Sequence, residues 1–328
     1  MRAASYERTG AAHEVLTVSE LPTPTPGPGE VRVRVQWSGI NPSDVKSRGG
    51  MMGSKPPFPR IIPHSDGAGV IDAVGEGVAE ARVGQRVWTW NAAWGRPFGT
   101  AAQYVVLPAA QAVALPDGVP LEAGACLGIP ALTAYHAVAT DGGVLAKSVL
   151  VSGGAGGVGH YAVQLARLLG ARQVIATVSS PLKAQLAQEA GADHVLNYRS
   201  EDVAGRVKAL TGGRGVDRII EVDLAANLKQ DLEAVRPDGE WVVYGSGARE
   251  VPMPFGPLIL KNIGVRFFIV YHLSAADRAR ALEHLTALLS RGALQHNVFQ
   301  RLPLERIADA HALVEGGKAP GNVVLEVA

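Results

Sequence analysis

With 328 residues, 31 Lys and Arg against 30 Asp and Glu, and a net charge of +1, the chain is long enough for two domains and too evenly charged for a nucleic-acid-binding stripe. No apolar run reaches the ~18 residues of a membrane span, the N-terminal MRAASYERTG lacks the apolar stretch of a signal peptide, and the single cysteine, Cys126, excludes an intramolecular disulfide. The expectations are a small-molecule partner, no nucleic acid, no membrane and a cytoplasmic location.

The first 125 residues are rich in Pro, Gly and Val. After a rigid connection, LPTPTPGPGE (21–30), short runs at 31–37 (VRVRVQW), 68–74 (AGVIDAV) and 102–107 (AQYVVL) predict an irregular, mostly β domain. Trp88, Trp90 and Trp94 fall within seven residues. Alternation puts Trp88 and Trp90 on one strand face, as core, and leaves Trp94, in a Gly-bounded loop, to stack on a planar ligand or meet a second copy. From Ser148 the pattern becomes a regular alternation. Strands near 148–152, 173–178, 194–198, 216–222, 240–245 and 265–270 are separated by helices such as 181–190, 200–210 and 226–235, the signature of a doubly wound parallel sheet. Helical patterns resume at 275–290 and 303–315, and NVVLEV (322–327) reads as a closing strand.

Between Val149 and Gly170 an apolar run is followed by six glycines or alanines in the seven positions from Gly153 to Gly159. Apolar residues then recur at steps of three or four, Val158, Ala162, Leu165, Ala166 and Leu169, and Gly170 is placed to end a helix. Gly154, Gly156 and Gly159 match GxGxxG: the first allows a tight turn, the second lets backbone approach a pyrophosphate, and the third lets helix and strand pack closely. Ala155, Gly156, Gly157, Val158 and Gly159 are therefore assigned to a dinucleotide, its pyrophosphate on the unpaired N–H groups at the helix N-terminus. A NAD-binding unit carries Asp or Glu about 20 residues further on. Here Ser179 occupies that place, with Lys183 on the next helix and Tyr198 after the third strand. Two hydroxyls and an ammonium, with no carboxylate to repel it, suit a 2′-phosphate, so the expected cofactor is NADPH.

The Pro/Gly-rich β domain, then AGGVG, then NYR, together with EVRVRVQWSGINPSD, PHSDGAGVIDAVGEGV and IPALTAYHAV, resembles the medium-chain dehydrogenase/reductase superfamily. Within it, IIEVDLAANLKQDL followed by WVVYGSG is similar to the zeta-crystallin-like NADPH:quinone oxidoreductases. The resemblance covers nearly the whole chain. It implies an α/β fold with a GroES-like, mostly β catalytic domain (1–125 and 266–328), an inserted doubly wound Rossmann domain (126–265), and an active site in the cleft between them. It also implies Asn41 and Asp44 as catalytic residues. Asn41, Thr133, Gly245, Ser246, Phe268 and Asn322 join the glycine turn, Ser179, Lys183 and Tyr198 as cofactor-binding positions, and the assembly is a homodimer or dimer of dimers.

Alcohol dehydrogenases of that superfamily use zinc, which takes about three Cys, His or carboxylate ligands in a catalytic site and four Cys in a structural one. One cysteine rules out the structural site. Asn41 stands where the first catalytic Cys would precede the Ser43–Asp44 pair, and Ser65 stands at the histidine position, the histidine being displaced to His64. The expectation is a zinc-free enzyme. A quinone accepts hydride without a Lewis acid, so the protein has only to stack the acceptor, exclude water and offer a donor to the developing oxyanion. Asn41 can give that bond or fix the nicotinamide ribose, and it reads equally well as an Asn-Pro turn. Tyr135 reads as packing, and the family pattern expects a Tyr near Met52, where this chain has none. Two alternatives stay open: NADPH-dependent reduction of the C=C bond of an enone or alkenal, and a non-catalytic nucleotide- or RNA-binding structural role.

Overall fold

The computed structural model describes every residue except Met52 and Ala328, so the expectation at Met52 lies outside the described residues. From the N-terminus the elements are β1 (Arg2–Ser5), α1 (Ala12–Val15), β2 (Thr17–Glu20), β3 (Glu30–Ile40), α2 (Pro42–Arg48), β4 (Asp66–Val74), β5 (Arg86–Thr89), β6 (Tyr104–Pro108) and β7 (Ala112–Ala114). Next come α3 (Leu121–Gly124), α4 (Leu132–Ala139), β8 (Ser148–Val151), α5 (Gly157–Leu168), β9 (Gln173–Val178), α6 (Pro181–Glu189), β10 (His194–Asn197), α7 (Val203–Leu210), β11 (Val216–Glu221) and α8 (Leu224–Ala234). The chain closes with β12 (Val235–Val243), α9 (Phe255–Leu260), β13 (Gly264–Phe267), α10 (Ala275–Ser290), β14 (Val298–Pro303), α11 (Ile307–Glu315) and β15 (Asn322–Glu326).

Two compact units result, Met1–Pro130 with Thr286–Ala328, and Ala131–Leu285. The second begins and ends later than the expected 126–265. Gly264–Phe267 pairs with β12, which keeps that stretch in the parallel sheet, and Leu285 falls inside α10.

In the first unit a seven-stranded sheet runs β14-β15-β3-β4-β5-β7, with β6 on β3. The alternation in VRVRVQW puts Val31, Val33 and Val35 into the core, while Arg32 and Arg34 face outward. Trp88 is fully buried on β5, which ends at Thr89; Trp90, just beyond the strand, is half-buried, and Trp94 is 38 % exposed. Of the helix expected over 303–315, Pro303 ends β14, Leu304–Arg306 form a 3-10 turn and the α-helix runs from Ile307 to Glu315.

In the second unit six parallel strands run β10-β9-β8-β11-β12-β13. SVLV of β8 is buried on both faces, as a central parallel strand must be. The strand expected at 240–245 already begins at Val235. Its register on β11 shifts between Val216 and Arg218, and Asp238 turns with φ +54°. No helix among the described residues is long and apolar enough to cross a membrane.

Candidate active site

The glycine turn expected to take a dinucleotide lies at the carboxyl end of β8 in the second unit's parallel sheet, the end at which open parallel sheets bind ligands. The chain leaves β8 at Ser152 and enters α5 at Gly156, which caps the helix without a side-chain bond. The N–H groups of the first turn are thus presented to an anion. The left-handed residue of the turn is Gly153 (φ +70°), one position before the motif's first glycine. Gly154 is small for a steric reason: a Cβ there would lie 2.6 Å from Cβ of Ala176 on β9. A Cβ on Gly159 would come within 2.1 Å of the Gly153 carbonyl, so the third glycine lets α5 sit against the turn itself. A Cβ on Gly156 would meet only the Gly153 carbonyl, at 3.3 Å, which makes it the least crowded of the three motif glycines.

Glu221, which sequence reasoning did not single out, anchors this turn. It is fully buried at the end of β11. It accepts Ser152 Oγ at 2.6 Å, Asn227 Nδ2 at 2.9 Å and the N–H of Asp223. Asp231 on α8 lies beside it with neither carboxyl oxygen meeting a donor. Burial, and then the charge of Glu221, hold Asp231 well above the usual carboxylate range. The IIEVDLAANLKQDL segment carried both acids, but only the fold shows that they meet.

At the end of β9 the ribose-binding acid is absent. Asn197 of β10 pairs with Val178 of β9, and Tyr198 N–H bonds the Val178 carbonyl at 3.1 Å. This brings Tyr198 beside Ser179. Lys183 follows one turn into α6, which Ser180 caps through the Lys183 N–H. Ser179 and Lys183 are half-buried and Tyr198 is 50 % exposed. Three of the expected cofactor residues, Gly245, Ser246 and Phe268, line one cavity of about 500 Å³ with Tyr244, Arg249 and Phe267. Phe268 packs on His136, ring centroids 4.6 Å apart. Thr133 is buried at the start of α4, and Tyr135 is buried with its hydroxyl on His284, which fits packing.

The first unit holds a buried polar cluster around Asn41. This residue ends β3, precedes Pro42 and heads α2. Its N–H donates to Asp44 Oδ2 at 2.8 Å, and its Nδ2 donates to Asp66 Oδ2 at 2.9 Å. Asp44 thus serves as a capping residue, the Asn-Pro turn being fixed by it. Burial raises the Asp44 carboxyl to about 7 against the opposing bonds from the backbone and side chain of Asn41, and burial holds Asp66 well above the usual range. Asn322, on β15, spends its Nδ2 on the Asn297 carbonyl at 3.2 Å.

The donor set does not suit zinc. The Asn41 amide is bound to Asp66, and both ring nitrogens of His64 are occupied, Nδ1 by Ser38 and Nε2 by His311. Cys126 is buried, its thiol bonded to the Glu122 carbonyl and pushed upward by burial rather than activated. Among the described residues no three His, Cys, Asp or Glu side chains gather as a metal site.

Two family models match, the alcohol dehydrogenase GroES-like domain over residues 27–117 and the zinc-binding dehydrogenase over 157–287. Human quinone oxidoreductase is 32 % identical over 291 residues, covering 88 % of this chain and 86 % of that protein. A Burkholderia 2-haloacrylate reductase is also 32 % identical, over 302 residues, with 88 % and 87 % covered. The crystal structure of Escherichia coli quinone oxidoreductase complexed with NADPH superposes with a TM-score of 0.88 at 28 % identity, covering 99 % of this chain and all of that one. The glycine turn, the Asn41 cluster and these likenesses agree: the chain is an oxidoreductase and belongs to the medium-chain dehydrogenase/reductase superfamily, in its zeta-crystallin-like quinone oxidoreductase branch.

Proposed function

We propose that this protein is a zinc-independent reductase that uses NADPH to reduce a quinone. The observation that carries the reading is Asn41, an amide fixed by hydrogen bonds where a metal-dependent relative needs a thiolate. A site without a Lewis acid suits an acceptor that needs none. NADPH, when bound, supplies the hydride. The chain's own residues do the rest. Ala155 to Gly159 present N–H groups to the pyrophosphate, and Ser179, Lys183 and Tyr198 take the 2′-phosphate. Gly245, Ser246 and Phe268 with Thr133 and Asn322 bound the nicotinamide half, and Asn41, braced by Asp44, orients the nicotinamide ribose or the acceptor.

The likeness to the 2-haloacrylate reductase supports a second reading, reduction of an activated C=C bond, which uses the same hydride geometry. A steady-state screen of NADPH and NADH oxidation with ortho-quinones, para-quinones, enones and haloacrylates tests both. Quinone turnover with NADPH is expected; turnover confined to enones or haloacrylates selects the second reading. If no acceptor stimulates oxidation of a nucleotide that still binds, a nucleotide-binding structural role replaces both. A homodimer is proposed as well. It is supported by β13, an edge strand carrying Phe267 at 60 % exposure, and by Ile259 and Leu260 exposed on α9. Sedimentation at micromolar concentration tests it.

A further inference from the structure

Asp66 opens β4 with its side chain fully buried. Its Oδ2 accepts from Asn41 Nδ2 and from the Ile129 N–H, each at 2.9 Å. Its Oδ1 has no donor and lies where a Cβ on Gly128 would come within 2.4 Å. One oxygen is thus held by two N–H groups and the other is confined by backbone.

A hydrogen-bond chain fixes the Asp66 backbone as well, and its direction follows from one end. The Asp66 carbonyl can only accept, so the Thr100 hydroxyl proton, 2.6 Å away, is spent on it. Ser38 must then donate to Thr100 Oγ1 across 2.8 Å. Its own oxygen accepts from the Nδ1–H of His64, also at 2.8 Å. A neutral His64 now has a bare Nε2, which accepts from the Nε2–H of His311 at 2.9 Å. The chain finishes on His311 Nδ1 as a bare acceptor, and that atom is the one found without a partner. Every proton is accounted for with both rings neutral, the state that burial favours. His311 on α11 is thereby tied through four bonds to the residue that grips Asn41.

We propose that Asp66 is a positioning residue that turns the Asn41 carboxamide inward by its NH₂ group, so that the atom Asn41 offers to a bound cofactor or acceptor is Oδ1, an acceptor. The capping box sets the Asp44 N–H on the Asn41 side chain, a bond only Oδ1 can accept, so it is the second lone pair of that oxygen that is left for a ligand. The inference rests on the reading that Asn41 lines the reacting site. It also reverses the expected donation from Asn41 to an oxyanion.

The test is a double-mutant cycle on the full chain with NADPH and 1,4-benzoquinone, alongside nucleotide binding by fluorescence. Asp66→Ala is expected to lower kcat/KM about 30-fold with NADPH affinity unchanged, yet less than twofold when Asn41 is already Ala. Asp66→Asn, which keeps an oxygen for the two N–H groups, is expected to stay within threefold of wild type. Thr100→Val, close to isosteric, serves where Asp66→Ala does not fold. It is expected to lower kcat/KM severalfold with the same loss of effect in the Asn41→Ala background. Effects that simply multiply, or Asp66→Ala at wild-type kcat/KM, overturn the positioning role. Asn41→Asp, which keeps an oxygen at the working position, is expected to outperform Asn41→Ala at pH 6; equal activity overturns the acceptor assignment. Wild-type kcat/KM in Asn41→Ala alone would instead remove Asn41 from the site, a failure of the underlying reading.

Discussion

Each unit buries an acid beside its proposed site, Glu221 and Asp66, and the two are satisfied differently. Glu221 receives three donors, from Ser152, Asp223 and Asn227, spread over both its oxygens. Asp66 receives two, both on one oxygen, and its other oxygen faces none. Glu221 gathers the glycine turn, through Ser152 69 positions away, and the start of α8, so that the backbone of the turn can meet an anion. Asp66 holds one side chain, Asn41, and one backbone N–H, Ile129, 25 and 63 positions away. The nucleotide cradle is accordingly a backbone site, sensitive to any added atom. The Asn41 cluster is a side-chain site, sensitive to protonation and to the loss of single partners.

That contrast is broken most severely at Gly159. Its missing Cβ would sit 2.1 Å from a carbonyl that belongs to the phosphate turn. Gly159→Ala is therefore expected to cost about 3 kcal/mol in urea unfolding and to weaken NADPH roughly 100-fold, as the turn is pushed out of register. Gly156→Ala, with 3.3 Å to its nearest neighbour and an ordinary φ of −73°, should leave stability within about 1 kcal/mol while still weakening the nucleotide. Equal loss of stability in the two variants would contradict the separate roles given to these glycines.

The next largest effect is one of pH, and it belongs to the first unit. Burial lowers His64 well below its ordinary value and His311 to about 3, with the Arg48 guanidinium adding to the lowering at His311. Below about pH 6.5 the unfolded chain binds protons that the native histidines refuse, so stability falls with acidification, by up to about 1.4 kcal/mol per pH unit for each histidine. Asp44 has the opposite sign. Its folded carboxyl, raised to about 7, keeps a proton that the unfolded chain has lost, so it contributes stability at acid pH that disappears as pH rises toward 7. Unfolding measured from pH 4 to 8 should show His311→Phe flattening the acid limb and Asp44→Asn flattening the opposing one. Unchanged acid sensitivity in His311→Phe would show that the pair is not a buried neutral one.

A smaller effect is expected at the ribose end. Lys183 lies in the first turn of α6, just after Ser179 and Ser180. Lys183→Ala should cost NADPH roughly 1.5–3 kcal/mol, the range for a hydrogen bond to a charged group, and NADH almost nothing. Equal dissociation constants of the wild-type protein for the two nucleotides would undo the 2′-phosphate assignment.

The two sites were unequally legible in the sequence. Strand, glycine turn and helix lie within 22 consecutive residues, and an unbroken apolar run followed by a period of 3.6 is written along the chain, so the second unit's sheet is legible from sequence. The Asn41 cluster is assembled from Ser38, Asp66, Thr100, Ile129 and His311, and no local pattern announces a bond between positions 64 and 311. Asp66 stands in the PHSDG motif, where the zinc pattern points to its neighbours His64 and Ser65 instead. An acid in so apolar a strand was the available signal. The last helix differs for a related reason: Pro303 ends a strand paired with β15, a partner that propensity cannot supply, and Leu304–Arg306 form a 3-10 turn before Ile307.

Tyr198 marks the gentle end of the comparison. Its hydroxyl is placed by backbone pairing between β9 and β10 rather than by side-chain bonds, and at 50 % exposure water can replace it when it is lost. A neutral hydrogen bond in such a setting contributes at the low end of the usual range, about 0.5 kcal/mol. Tyr198→Phe should therefore weaken NADPH two- to threefold by fluorescence titration, leave NADH unchanged, and add to Lys183→Ala without coupling if each group meets a different phosphate oxygen. If both nucleotides lose affinity equally, the ring rather than the hydroxyl makes the contact, and the phosphate pocket reduces to Ser179 and Lys183.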